Sequence, residues 1–237
     1  MDLDLDLRSI IEIVGILCAL AVLFVSRREI ANFCRWLKPS DSVAVFGPKA
    51  SGKTTLIRYL QGRQLPEQHI STFGAQPVGK IVFDLSGNET YFFRSREMYD
   101  VGGEHQGQWQ VIIKKQNPNG IIYIVDTTQP SKESADLAHI AQVYCSIRTQ
   151  EFANNIRLRS LLIFLNKCDI WGPSPADREK MMTHYRNEVL KDAINELTTE
   201  FGNLNIQFGA GSLTHTEHAQ CTNDALRNFA MSLAKKE

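Results

Sequence analysis

Gly47 to Thr54 reads G-P-K-A-S-G-K-T, the G-x-x-x-x-G-K-[ST] pattern whose chemistry is phosphate binding. Its glycines let the backbone turn so that successive N–H groups point inward at phosphate oxygens. Lys53 can reach the β- and γ-phosphates of a nucleotide, and the Thr54 hydroxyl can ligate Mg²⁺. The flanks suit this role. Val43-Ala44-Val45-Phe46 is a short apolar strand, and Thr55 to Leu60 (T-L-I-R-Y-L) continues as a helix. The N-terminus of that helix adds its dipole to an anion site. The candidate phosphate-binding residues are therefore Gly47, Lys49, Ala50, Ser51, Gly52, Lys53, Thr54 and Thr55.

Three further stretches carry residue types suited to a nucleotide. Asn166-Lys167-Cys168-Asp169 follows the apolar run Leu161 to Leu165, at the carboxyl end of a strand, where open α/β sheets bind ligands. Asp100-Val101-Gly102-Gly103 and Gly209-Ala210-Gly211-Ser212 each close a strand-like stretch.

The elements that must position these residues can be read in order. Gln61 to Pro77 is polar, lacks periodicity and reads as a loop containing Ser71, Thr72 and Gly74. Val78–Leu85 and Tyr91–Tyr99 are strand-like, with Ser86-Gly87-Asn88 as the turn of a hairpin. Gly120 opens G-I-I-Y-I-V-D, a run expected of a buried parallel strand. Ser131 to about Arg148 is helical, with Leu137, Ile140, Ala141, Tyr144 and Ile147 on one face. Ser174-Pro175 with Asp177 starts a long helix through a Ser cap, Pro at the first position and an acid in the first turn. Met182, Tyr185, Val189, Ala193, Leu197 and Phe201 line its buried face and Gly202 ends it. Leu204–Phe208 is a last strand, and a final helix carries Leu226, Phe229, Ala230 and Leu233. Strands alternating with helices imply an α/β fold, a mostly parallel sheet covered on both faces.

The 237 residues suffice for one such domain plus an appendage. Lys plus Arg equals Asp plus Glu at 26 each, so nothing suggests a nucleic-acid surface. The five cysteines are scattered without a C-x-x-C pair, and the histidines form no metal-ligand spacing. Such a set reads as free thiols in a reducing compartment. Ahead of the domain, Ser9 to Val25 is apolar apart from Glu12. Roughly 17 residues is the short end of a membrane span. Asp2, Asp4 and Asp6 precede it, while Arg27, Arg28, Arg35 and Lys38 follow. This asymmetry places the C-terminal part in the cytoplasm. The expected organisation is a short tail and transmembrane anchor at 1–26, a basic membrane-proximal linker at 27–40 and a nucleotide-binding domain at 41–237.

Taken together, these motifs resemble the small GTPase superfamily, and within it the ADP-ribosylation factor branch, of which D-V-G-G is the characteristic form. The resemblance spans about residues 41–237. It implies a P-loop GTPase fold with a mostly parallel six-stranded sheet, GTP/GDP and Mg²⁺ as ligands, and a protein effector or receptor subunit as partner. By resemblance, Asp169 accepts hydrogen bonds from guanine, Asn166 braces the phosphate loop, Lys167 covers the base, and Gly209, Ala210 and Gly211 form the loop near guanine O6. Asp100 would hold Mg²⁺ through a water beside Thr54 and Thr72 (Ser71 being the alternative to Thr72), and the Gly103 N–H would sense the γ-phosphate. Glu104 stands where many members carry a water-orienting Gln. His105 is one place beyond the position used by members with a His. Lys49 replaces a small or neutral residue. Glu104, His105 and Lys53 are the candidate catalytic residues. A span directly before such a domain also resembles the β-subunit family of signal recognition particle receptors. Two classes of function follow: a membrane-anchored GTP-dependent switch, or a non-hydrolysing GTP-binding scaffold in a receptor complex. An ATP-dependent enzyme is opposed by Asp169.

Overall fold

A computed structural model of the chain describes residues 42–61, 75–77, 81–84, 92–95, 98–101, 106–127, 130–148 and 157–234. These fall in the unit Asp41–Glu237. Among them no helix is long and apolar enough to cross a membrane. The expected span at 9–25 and the basic segment at 27–40 lie outside the described residues.

The elements in chain order are β1 (Val43–Phe46), α1 (Lys53–Leu60), β2 (Ala75–Pro77), β3 (Ile81–Asp84), β4 (Phe92–Ser95), β5 (Met98–Val101), α2 (Gln106–Gln116), β6 (Gly120–Val125), α3 (Pro130–Arg148), β7 (Ser160–Leu165), α4 (Cys168–Trp171), α5 (Pro175–His184), α6 (Lys191–Phe201), β8 (Asn205–Ala210) and α7 (Ala219–Ala234). The main sheet has the order β2-β5-β1-β6-β7-β8. Its body is the parallel set β1, β6, β7 and β8, extended by β5, which is parallel to β1, and by the antiparallel edge strand β2. Pro77 is tolerated because β2 is an edge. β3 and β4 form a separate antiparallel pair.

Strand residues alternate between two cores, as a pleated sheet covered on both faces requires. Ala44 and Phe46, Ile121 and Tyr123, and Leu161 and Ile163 face one core with residues of α2, α3 and α6. Val43 and Val45, Ile122 and Ile124, and Leu162 and Phe164 face the other with residues of α1 and α7. Trp109 of α2 is fully buried, its ring 5.1 Å from Phe46 and 6.4 Å from Tyr123 in an edge-on approach.

Several expectations need correction. The stretch Gln61–Pro77 is not loop throughout, because Ala75–Pro77 pairs with β5. Tyr91–Tyr99 is not one strand. Phe92–Ser95 pairs with β3, whereas Met98–Val101 joins the main sheet beside β1, so Asp100 lies within a strand. The hairpin pairing between β3 and β4 is present, but its turn at 86–88 lies outside the described residues. Helix α2 was not anticipated, although Trp109, Ile112 and Ile113 are spaced for a helical face. Its end is marked by Asn117 at φ 43, whose N–H bonds the Ile113 carbonyl at 3.0 Å. The long helix from Ser174 does start at a Ser cap that accepts from the Asp177 N–H. It does not run unbroken to Gly202. A π-helical turn over Tyr185–Val189 and a non-helical Leu190 split it. Bulging the backbone there points both Tyr185 and Leu190 into the core.

Beside this core, Glu133 of α3 is fully buried. Its carboxyl is near Asp126 and the Tyr185 hydroxyl without a well-aligned hydrogen bond to either. Burial pushes it up to about 8, and the charges of Asp126 and Asp136 add to the effect. Between about 4.5 and 8 the folded chain keeps a proton that the unfolded chain releases. Stability from this group therefore falls as pH rises through that window and levels off above it. Glu133→Gln should flatten that part of the urea-midpoint profile. At the alkaline end of the window it should exceed the parent by on the order of 1–3 kcal/mol. Parallel profiles for the two proteins would show that Glu133 does not titrate there.

Candidate nucleotide-binding site

The loop after β1 lies where the chain leaves the central strand for neighbours on either side, the crevice position of a doubly wound sheet. Gly47 has φ 144 and Gly52 φ 105, and Ala50 also sits in the left-handed region at φ 61. A Cβ at Gly47 would collide with the Ile124 carbonyl, and one at Gly52 with the Asn166 amide. The two glycines thus answer both to conformation and to close approach. Gly52 caps α1 without a side-chain hydrogen bond, and the helix has no acid in its first turn. Its leading N–H groups thus keep the positive end of the dipole.

Lys53 is 6% exposed, and its Nζ donates to the Pro48 carbonyl at 2.6 Å. The ammonium is thereby folded back across its own loop. The Ser51 hydroxyl is fully buried and has no hydrogen-bond partner among the described residues. Thr54 and Thr55 follow in the first turn of α1, while Lys49 and Ala50 are exposed at the loop's tip.

The second motif meets the first directly. Asn166 is 6% exposed and its Nδ2 donates to the Ser51 carbonyl at 2.9 Å. The contact ties the loop after β7 to the loop after β1. Lys167 takes a left-handed conformation at φ 62, which turns the chain from β7 into the short helix α4. Trp171 Nε1 closes that turn on the Asn166 carbonyl at 2.7 Å. Asp169 is mostly buried; its Oδ2 is 3.3 Å from His215 Nε2, and its Oδ1 is buried without a partner among the described residues. Burial, reinforced by Cys221, pushes the Cys168 thiol up to about 11, so Cys168 is not a thiolate nucleophile at neutral pH.

The third stretch departs from expectation. Gly209 and Ala210 are the last residues of β8, with Ala210 in register with Leu165. The Gly211 N–H bonds the Leu165 carbonyl at 3.0 Å, and its carbonyl accepts from the Cys168 N–H at 3.1 Å. These residues tie the strand ends together, and the loop proper begins at Ser212. Asp100 is in register with Val45, which places its backbone two residues ahead of the phosphate loop's first glycine. Thr72, Ser71, Gly103, Glu104 and His105 lie outside the described residues. Sequence reasoning missed His215: it sits beyond the third motif with no spacing signal, and only the fold brings it to Asp169.

The residues present suit a nucleoside phosphate. The glycine cradle, the buried Lys53, and a Ser51 hydroxyl and an Asp169 oxygen without partners among the described residues are one consistent donor and acceptor set.

Comparison with known proteins adds a family. The model of the ADP-ribosylation factor family matches residues 32–200. No curated protein matches the chain. Among solved structures, the Arl6 BBS3 small GTPase of Trypanosoma brucei with a bound nucleotide analogue, GppNp, aligns at 19% identity and TM-score 0.45. That alignment covers 81% of this chain and 99% of the other. Roco2 RocCORdC of Methanosarcina barkeri bound to GDP aligns at 17% identity and TM-score 0.48, over 81% of this chain and 49% of that one. The chain thus spans about half the length of the latter.

The Asn166–Ser51 bond generates a direct prediction. Asn166→Ala leaves a buried carbonyl without its donor, which costs roughly 1–3 kcal/mol. Measured without added nucleotide, the melting temperature should fall by about 2–10 °C. Asn166→Asp, which also lacks the donor, should do the same. Melting that coincides with the parent in both variants would show that this bond does not hold the loop.

Proposed function

The chain belongs to the ADP-ribosylation factor family of small GTPases, and from that premise we propose that it is a membrane-anchored GTPase whose nucleotide state governs the recruitment of a protein partner. The observation that carries this reading is the contact of Asn166 with the phosphate loop at Ser51. It joins the phosphate-binding and base-reading motifs into one site.

In this reading Gly47 and Ser51 to Thr55 hold the phosphates, with Lys53 exchanging the Pro48 carbonyl for phosphate oxygens. Asp169 takes the two guanine donors, and Lys167 covers the base. The base-facing loop is extended to Ser212, because the Gly211 peptide is used to join strand ends. Thr54 and Thr72, with Asp100 through water, would hold Mg²⁺, which supplies neutralising charge at the phosphates. The segments near Thr72 and after Gly103 would be the switch surface for an effector or receptor subunit. Nucleic acid is not a partner in this reading, as the balanced charge suggests.

The membrane part of the proposal is supported by the apolar run at 9–25 and by the basic residues after it. A single N-terminal span would leave the GTPase domain at 41–237 in the cytoplasm. That arrangement resembles the signal recognition particle receptor β-subunit, and a protein-targeting receptor subunit is the specific role proposed.

Competition binding tests the site. The parent should prefer GTP to ATP by several orders of magnitude, and Asp169→Asn should weaken GTP and improve xanthosine triphosphate binding. Equal affinity of the parent for ATP and GTP would falsify the assignment. Extraction tests the anchor: the full-length chain should stay with membranes through alkaline carbonate, and release there would point to a peripheral helix.

Turnover is expected to be slow, with Glu104 as one cause. An ionised Glu only accepts hydrogen bonds, where a Gln both donates and accepts. It also sets a negative charge near a phosphoryl group whose charge must be neutralised. Such repulsion corresponds to a rate loss of about 10²-fold or more. Single-turnover hydrolysis by Glu104→Gln should therefore be faster than by the parent at similar GTP affinity. Loss of activity in that variant would make Glu104 a working base and end the slow-switch reading.

A further inference from the structure

Cys168, His218 and Cys221 have no part in the nucleotide site as described, yet the fold gathers them. One ligand atom from each lies within 4.8 Å of the others, with Cys168 buried and the other two partly buried. They belong to two separate stretches of chain. Cys168 opens α4 directly after β7, and its backbone N–H is fixed on the Gly211 carbonyl at 3.1 Å. His218 closes the 3₁₀ turn Thr216–His218, and Cys221 lies in the first turn of α7. The His-x-x-Cys spacing puts both side chains on one side of the helix start. Their backbone is well held. The His218 N–H bonds the His215 carbonyl at 3.1 Å, and the Thr222 hydroxyl and the Cys221 thiol both donate to the His218 carbonyl at 3.1 Å.

We propose that Cys168, His218 and Cys221 form a three-ligand site for a thiolate-preferring divalent ion, zinc in the first place, with water in the fourth position. Two sulfurs and one imidazole nitrogen are a tetrahedral zinc donor set, whereas Mg²⁺ and Ca²⁺ take oxygen ligands. Bonds of about 2.3 Å to sulfur and about 2.0–2.1 Å to nitrogen put tetrahedral ligand atoms roughly 3.6–3.8 Å apart. The observed spread has to close by about 1 Å at most, a shift within reach of side-chain rotation at the partly exposed His218 and Cys221. Binding releases one proton from each thiol to solvent, so the dication and its two thiolates are neutral together. That neutrality makes a half-buried position tolerable.

The consequence lies next door in sequence. Asp169 follows Cys168 directly, so the ion would cross-link the base-reading loop after β7 to the start of α7. The proposal stands on these three side chains alone and does not depend on which nucleotide the chain binds.

The test uses the full-length chain, stripped of metal under reducing conditions and titrated with cobalt(II) as a spectroscopic stand-in for zinc. The expected result is one equivalent of cobalt giving thiolate-to-metal charge-transfer absorption with d–d bands of tetrahedral intensity, both displaced by zinc. Cys221→Ser and His218→Gln, at positions that are not fully buried, should each weaken cobalt affinity by roughly 10²-fold or more, since each removes one of three protein ligands. Cys145→Ser, on α3, should leave the spectrum unchanged. Zinc should raise the melting temperature of the parent and of Cys145→Ser but not of the other two. Cys168→Ser should also lose the bands, and should it fail to fold, the partly exposed pair decides. Absence of charge transfer in the parent, its survival in Cys221→Ser or His218→Gln, or its loss in Cys145→Ser would each overturn the proposal.

Discussion

A single buried hydrogen bond, from the Asn166 amide to the Ser51 carbonyl at 2.9 Å, fixes the relation between two loops that are distant in sequence. Everything around it follows from making that bond possible. The two loops leave β1 and β7, which are separated in the sheet by β6; the parallel register sets Phe46, Tyr123 and Ile163 level, so β7 runs two residues past the end of β1 toward the loop. Gly52 must lack a side chain because the Asn166 amide occupies the space a Cβ would fill. A one-residue slip in register would move the side chain at this position to the other face of the sheet and remove the contact altogether.

The distribution of buried polar groups follows the same constraint. The central strands β1, β6 and β7 are buried throughout and, apart from Ser160 at the start of β7, polar side chains collect where they end. Ser51, Lys53, Asp126, Asn166 and Ser212 are all buried at the carboxyl ends of β1, β6, β7 and β8. Buried polar groups cost free energy unless they are paired, so their concentration at one edge shows where the fold tolerates that cost. Glu133, Asp136 and Tyr123 extend the polar region beneath α3, with the Tyr123 hydroxyl on Asp136 at 3.2 Å.

Much of this was legible in the sequence because the signals were local. The apolar runs that became β1, β6 and β7 are short and bounded by glycine or polar residues, and the Ser174-Pro175-Asp177 start announced α5 through its own cap. What escaped was decided by tertiary structure. Nothing in Y-F-F-R-S-R-E-M-Y says that the chain changes sheets between Ser95 and Met98. Helix α2 has only three strongly apolar core residues over three turns, and its pattern is diluted by Gln and Lys. The π-helical turn at Tyr185–Val189 exists because Tyr185 and Leu190 must both reach the core, a demand of packing that an α-helical period cannot show. The motif residues Asn166 and Asp169 were legible by spacing, but His215 was not, because it comes to Asp169 from a different loop.

The stretch from Asn166 to Asp169 also shows how a short segment divides its tasks. Asn166 looks back to the phosphate loop, and left-handed Lys167 reverses the chain so that the next residues begin a helical turn. Successive residues of such a turn point about 100° apart. Cys168 can therefore be fully buried while Asp169 keeps one oxygen near His215 and the other without a partner among the described residues. Because Gly211 is bonded through both its N–H and its carbonyl, to Leu165 and Cys168, the backbone leading into Asp169 has little freedom to shift. A carboxylate that must present its oxygens in a fixed direction gains most from support of this kind, in which main-chain bonds rather than flexible side chains set its place.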